Sequence, residues 1–197
     1  EFIPMDTFGT LNQRVIRLNQ VELNKNYALV ITTNSGLWRY LIGDTIRFTS
    51  LSPYRIKVTG RTKHHINVFG EELMVENTDA AIAKTCALFD CEIVDYTVAP
   101  VFMSETQKGS HEWIIEFKNP PEDVEKFSMI LDENIQSLNS DYEAKRYNNM
   151  TLNPLVLNVA RKNLFYDWLK QNDKLGGQHK IPRLSNDRNY LESLLNL

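Results

Sequence analysis

The residues whose types and spacing could do chemistry begin with Trp38-Arg39-Tyr40-Leu41-Ile42-Gly43-Asp44, followed by Gly60-Arg61 sixteen residues after Asp44. An ionised aspartate only accepts hydrogen bonds, and its two oxygens can take two neighbouring hydroxyls at once. At the end of a strand, Asp44 would suit the 2′ and 3′ hydroxyls of a ribose. Gly-Asp is also an ordinary turn dipeptide, so a turn role stays open beside the binding one. Arg61 offers a planar fork of donors suited to phosphate, or else an interdomain ion pair. Lys180 follows Gly176-Gly177 and precedes Pro182. A lysine on such a loop could bring a cation to a site where negative charge gathers, or could simply be solvated.

Other residues invite weaker readings. His64 and His65 suggest a base, but adjacent strand residues point to opposite faces, so at most one would face a site. Cys86 and Cys91 read as two reduced thiols, and buried cysteines usually behave as small apolar residues. Glu71-Glu72 and Asp132-Glu133 read as solvated acidic faces. Arg146 with Tyr142 and Tyr147 could line a pocket for an amine. Trp38 and Tyr40 read as packing residues.

The elements that would position these groups follow from periodicity. Alternating apolar and polar residues predict strands over 15–21 and 27–33. Asn34-Ser35-Gly36 predicts a hairpin turn into a return strand over 37–42. Strands are expected over 45–49 and 54–59, joined by Ser52-Pro53. A short strand over 66–69 and a helix over 75–88 follow, with Asn77, Thr78 and Asp79 offering caps. Strands over 92–101 and 112–117, a helix opened by Pro120-Pro121 and running to Leu138, a strand over 155–159, and helices over 161–171 and 187–195 complete the chain. The fold class is α+β. Residues 1–60 read as a β-rich unit, and residues 61–197 as a compact α+β unit.

Composition sets bounds. The 197 residues are 42% hydrophobic and 24% charged, with a net charge of −3. That describes a soluble globular protein without the basic excess of a nucleic-acid surface. No apolar run reaches the roughly 20 residues that span a bilayer, so a cytoplasmic setting without membrane or nucleic-acid partners is expected. The scattered His and Cys residues offer no metal site at compatible spacing. The chain opens on Glu1 without a Met, which reads as a fragment.

Several of these motifs resemble the adenylate-forming enzymes, most closely the acyl-acid amido synthetases of the Gretchen Hagen auxin-response family. The strand 38–44 is similar to the family's Tyr-Arg-Tyr-Arg-Val-Gly-Asp phrase, and Arg61 to the Arg that opens its C-terminal domain. Gly70-Glu71-Glu72 resembles a Gly-Glu-Lys-like turn. Gln178, Lys180, Pro182 and Arg183 resemble a Gln-x-Lys-x-Pro-Arg segment, and Glu1-Phe2-Ile3-Pro4 a phrase upstream. Leu41 and Glu72 depart from the pattern, which bears on the substrate more than on the chemistry. The resemblance implies ATP and Mg²⁺ as cofactors, a small carboxylic acid and an amino acid or other amine as partners, and a further N-terminal domain carrying the phosphate loop. It implies that residues 1–60 are the β-rich end of the large domain and residues 61–197 a small, mobile α+β lid, with a hinge expected at Gly60–Lys63. It also implies ribose contact by Asp44, nucleotide contact by Arg61 and catalysis by Lys180. An intact protein of this kind would adenylate the acid and pass the acyl group to the amine, while residues 1–197 alone would be inactive. An acyl–CoA ligase shares the first half-reaction, and a non-catalytic binding module could keep the lid fold.

Overall fold

The computed structural model describes the chain apart from Lys63, His64, Thr106, Met150, Gly177 and Gln178. The readings placed on His64, on Gly177 and on Gln178 therefore lie outside the described residues. The fold is α+β, and contacts divide it into two units, residues 1–65 and 66–197.

The first unit is a four-stranded antiparallel sheet in sequential order: β1 (Phe2–Pro4), β2 (Asn26–Ile31), β3 (Tyr40–Leu51) and β4 (Tyr54–Arg61). Alternation along β2 splits its side chains between two small cores. Ala28 and Val30 pack with Ile3 and Met5 on one side. Tyr27 packs with Val21, Ile46 and Phe48 on the other. Phe2, Tyr27 and Phe48 meet edge to face, with ring centroids 5.2–6.2 Å apart, the arrangement that ring quadrupoles favour. The Asn34–Gly36 turn and the Ser52-Pro53 connection are present. The strand expected over 15–21 is not. There the alternating pattern finds only the three-residue β1 as a partner, so Ile16 makes one bridge to Phe2 and Leu18–Gln20 curl into a 3-10 turn. The strands expected over 37–42 and 45–49 are one strand, β3, starting at Tyr40 and bulged in its middle.

The second unit opens with the two-residue strands β5 (His65–Ile66), which begins at the boundary, and β6 (Leu73–Met74), shorter than the strand expected over 66–69. Helix α1 (Val75–Phe89) leads into β7 (Glu92–Val101) and β8 (Ser110–Asn119). Helices α2 (Val124–Leu138) and α3 (Ser140–Arg146) cross over to β9 (Val156–Val159), and α4 (Leu164–Gln171) and α5 (Asn189–Leu195) close the chain. β7 pairs antiparallel with β8, and β9 pairs parallel with it, as a helical crossover permits. Both faces of this sheet are covered. Tyr96, Val98, Trp113, Ile115 and Phe117 face α1 and α2, whereas Ala99 and Ile114 face Leu164, Phe165, Trp168 and Leu191 of α4 and α5. That double burial is why the middles of β7 and β8 are buried almost without alternation.

The caps refine the expected helix ends. The α2 helix starts after Pro120-Pro121, where the Asp123 carboxylate accepts from Lys126 N at 2.9 Å. Asn77 takes the N-terminal bond of α1, accepting from Met74 N at 3.0 Å, while Thr78 and Asp79 turn elsewhere. The α4 helix is capped by a distant strand residue, Glu116, whose carboxylate accepts from Asn163 N at 2.6 Å and Phe165 N at 3.3 Å. Among the described residues no helix is long and apolar enough to cross a membrane.

Candidate functional site

In the first unit the sheet brings Asp44 and Arg61 together. They are direct partners in the β3–β4 register, with Arg61 Nε 3.5 Å from Asp44 Oδ1. A bulge makes this possible. Along β2, Ala28 opposes Thr45 and Val30 opposes Leu41, so one residue of β2 stands against three of β3, and Ile42, Gly43 and Asp44 leave the β2–β3 ladder. Gly43 has φ +88°, a conformation L side chains rarely adopt. On the other side Thr62 N donates to Gly43 O at 2.9 Å and the buried Thr59 hydroxyl bonds Thr45 at 3.1 Å. The bulge is thus fixed at its base while the charges stay open: the Arg61 side chain is 68% exposed and that of Asp44 is 31% exposed. A carboxylate and a guanidinium, side by side and accessible, can accept from hydroxyls and donate to phosphate at one place. Trp38 and Tyr40, expected to pack, stand out to solvent instead. Tyr54, Ile56 and Val58 of the edge strand β4 are exposed as well.

Lys180 lies in the second unit, exposed, next to a segment that is pinned. Ile181 is buried against α4 and α5. Arg183 O accepts from Val98 N at 2.9 Å and Ser185 N donates to Val98 O at 3.1 Å, so this segment runs parallel along the free edge of β7. Arg183 is gripped by Asp79, with Nη1 at 2.7 and 2.6 Å from its two carboxylate oxygens.

Two sets of charged residues, and the two thiols, prove structural. Glu71, expected on a solvated acidic face, is fully buried: Oε1 lies 2.8 Å from His111 Nε2, and Oε2 accepts from Phe69 N at 2.7 Å. The His111 ring stacks on Tyr142, with centroids 5.3 Å apart. Gly109 lets Phe69 close on this pair, because a Cβ there would come within 2.6 Å of the Phe69 ring. Asp132, also expected at the surface, is buried under Arg146 and Tyr142. The guanidinium bonds both its oxygens at 2.7–3.1 Å, and the Tyr142 hydroxyl donates to it at 2.6 Å. Arg146 and Tyr142 are thus buried around Asp132, away from the open face that the amine pocket expected of them needs. Cys86 and Cys91 are unbridged, and burial pushes the Cys86 thiol up to about 12. Among the described residues, no three or more His, Cys, Asp or Glu side chains cluster closely enough to hold a metal ion.

The group that residue-by-residue reading missed is Asp79 with Tyr96. The Tyr96 hydroxyl is 2.6 Å from Asp79 Oδ1 and 2.7 Å from Thr78 Oγ1. Its only trace in the sequence is a third polar residue after Asn77 and Thr78, more than one helix cap needs.

Both units match one known family. Residues 1–61 match the GH3 family central domain, and residues 76–189 match the GH3 family C-terminal domain. The chain belongs to the GH3 family. It is 26% identical, over 93% of its length, to the indole-3-acetic acid-amido synthetase GH3.3 of Arabidopsis thaliana, of which it covers 32%. It is 23% identical, again over 93% of its length, to the 4-substituted benzoates-glutamate ligase GH3.12 of the same plant, covering 34% of that protein. Among solved structures it superposes in full on 36% of the GH3.15 acyl acid amido synthetase, with a TM-score of 0.68 at 22% identity. The chain spans about a third of the length of the curated relatives it matches.

Proposed function

We propose that the intact protein is an ATP-dependent acyl-acid amido synthetase, which activates a small carboxylic acid as its acyl-adenylate and passes the acyl group to an amino acid or another amine. The observation that carries this reading is membership of the GH3 family through matches to both the central and the C-terminal domain. Relatives are named for joining acids to amino acids: the GH3.12 ligase for benzoates and glutamate, and the rice GH3.5 protein as a jasmonoyl–L-amino acid synthetase.

In this reading three charged groups of the chain have a task. Asp44, turned out by the bulge, accepts the two ribose hydroxyls of the nucleotide. Arg61 beside it donates to ribose or phosphate. Lys180 offsets negative charge where the carboxylate and the nucleotide phosphate approach, the placement that does most for a transition state gathering charge. The nucleotide brings Mg²⁺ and supplies the phosphoanhydride whose cleavage drives activation. The β-rich unit is the end of a larger domain that carries the phosphate loop, and the second unit is a mobile lid. The pivot of that motion is the segment Gly60–Lys63, of which Lys63 lies outside the described residues; Gly60 and Arg61 close the β4 ladder there.

The test uses the intact protein and each half-reaction separately. Lys180→Ala is expected to slow acyl-adenylate formation roughly a hundredfold or more, the cost of one lost transition-state contact of about 2.7–4 kcal/mol. Transfer from supplied acyl-adenylate to the amine, which no longer joins two anions, stays near the wild-type rate. Lys180→Arg rescues little, because a planar guanidinium does not replace a compact ammonium. Wild-type rates in both steps, or equal losses in both, overturn the role of Lys180. CoA as the productive acceptor in place of amines would make the protein an acyl–CoA ligase. Residues 1–197 alone are expected to give no acid-dependent pyrophosphate exchange.

A further inference from the structure

We propose that Asp79 is a positioning residue for Lys180, acting through Arg183, with the Tyr96 hydroxyl orienting its carboxylate. The proposal rests on the role given to Lys180 above. Its basis is a clamp that nothing in the sequence motif required. Asp79, on α1, receives Nη1 of Arg183 on both oxygens at 2.7 and 2.6 Å. Tyr96, from β7, donates to the same carboxylate at 2.6 Å and exchanges a 2.7 Å bond with Thr78. The guanidinium lies over the Tyr96 ring, 5.2 Å from its centroid, and its Nε is 3.9 Å from Asp95. The Tyr96 ring itself is locked by stacking on the buried Trp113 at 5.5 Å. Arg183 is thus held by its charge, by one nitrogen shared between both Asp79 oxygens, and by an aromatic face on which a planar guanidinium can lie.

The backbone around it is held equally firmly. The Thr97 hydroxyl donates to Pro182 O at 2.7 Å, and Val98 takes one bond on each side of Leu184. Pro182 has its φ fixed by the ring. Lys180 precedes Arg183 by three residues, so its Cα stays within roughly 10 Å of the anchored one. The ammonium then sweeps a limited volume from a fixed base. Both Lys180 and Arg183 act on Asp95, whose carboxyl is raised chiefly by burial and pulled down by these two charges. Without the clamp the segment would keep its β bridges but lose the tie to α1, and the origin of Lys180 would be less sharply fixed. An error of about 1 Å in placing a reacting group can cost on the order of a hundredfold, so a loosened anchor matters even at a distance.

The experiment measures single-turnover rates of both half-reactions in the intact protein carrying Asp79→Asn, Tyr96→Phe, Lys180→Ala and the pair Asp79→Asn with Lys180→Ala. Asp79→Asn is expected to slow adenylate formation on the order of tenfold and Tyr96→Phe by a few fold, with transfer from supplied acyl-adenylate within about twofold of wild type. Asp79→Glu, which keeps the charge, restores part of the loss. In the Lys180→Ala background Asp79→Asn adds nothing, because residues that act through one another are not additive. A merely structural role predicts the opposite: Asp79→Asn slows both steps alike and keeps its full effect without Lys180, and that result overturns the proposal. If Lys180→Ala is impaired and the Asp79 and Tyr96 variants are both silent, the clamp alone fails. If Lys180→Ala is silent, the role of the lysine fails and the positioning role falls with it. Should Asp79→Asn not fold, Tyr96→Phe carries the test, since phenylalanine keeps the ring against Trp113 and removes only the hydroxyl.

Discussion

One charge pair of the first unit, Asp44 with Arg61, and two of the second, Asp132 with Arg146 and Glu71 with His111, are built to opposite ends. Asp44 and Arg61 face each other at 3.5 Å in the open, on a bulge held by its backbone. Asp132 and Arg146 meet at 2.7 Å with both side chains more than nine-tenths buried, and Glu71 with His111 is sealed completely. An exposed pair is worth little to stability and stays free to exchange its partner for a ligand. A buried one has lost its water, and only its partner and further hydrogen bonds make good the loss. Asp132 has these in full: Tyr142 and Arg146 on its oxygens, and Leu152 O and Asn149 occupying the rest of the guanidinium. Burial, more than charge, separates residues available for chemistry from residues spent on the fold.

The largest expected effect breaks the buried side of this contrast. Asp132→Asn leaves the Arg146 charge buried and uncompensated, at a cost of about 3–5 kcal/mol, measured as a lower urea midpoint of the second unit. The control is Asp132→Leu with Arg146→Met, which removes both charges together. It is expected to recover most of that loss, since apolar replacement of a whole buried pair is often neutral. A double variant no better than the single one would mean that packing around Tyr142, and not the stranded charge, sets the cost.

This contrast also explains what could be read from the sequence. Local pattern gave β2, β4, β7, β8 and β9, the helix α1 and the β3–β4 hairpin, because alternation and turn residues act between neighbours. It did not give burial of Glu71 or Asp132. Two adjacent acidic residues look the same in solvent and in a core, and their partners His111 and Arg146 lie 40 and 14 residues away. Val15–Val21 misled for a related reason: alternation shows that a segment can pair and not that a long enough partner exists. Asp44 and Arg61 were legible as motif residues, but their face-to-face register depends on a bulge that a single glycine only hints at. Asp79 was hidden because its two partners come from β7 and from a segment more than a hundred residues later.

A smaller effect sharpens the comparison through pH. The groups that burial drives upward all lie in the second unit: Cys86, Cys91, Asp95, Tyr96 and Tyr142. For the thiols and phenols the sign is fixed. Their folded values lie above the unfolded ones, so the folded chain keeps protons that the unfolded chain gives up. Their stabilisation is complete below the unfolded thiol value of 9.0 and is lost as pH climbs toward about 12 for Cys86. With Trp38→Phe, fluorescence reports Trp113 and Trp168 of the second unit alone. Its urea midpoint is expected to fall steadily between about pH 8.5 and 10.5. A midpoint flat across that range would contradict the assignment of these groups to a dry interior.

The smallest expected effect on stability falls on the open pair. Asp44→Ala removes a half-exposed ion pair and strands no buried charge, because the Arg61 side chain is 68% exposed and keeps its water. The unfolding free energy is expected to change by no more than about 0.2–1 kcal/mol, within the first unit and with the second untouched. The bulge itself survives, since Gly43, Thr62 and the Thr45–Thr59 bond hold it without the carboxylate. AMP binding to the intact protein moves far more: charge-assisted bonds to two hydroxyls are worth about 1.5–3 kcal/mol, or on the order of tenfold to a hundredfold in affinity. Calorimetric titration of AMP beside urea unfolding of the same variant reads both quantities. Unchanged affinity in a folded Asp44→Ala protein would reduce Asp44 to a turn residue. A stability loss as large as that of Asp132→Asn would show that the open pair is structural too, and the distinction between the two units would fail at its most exposed point.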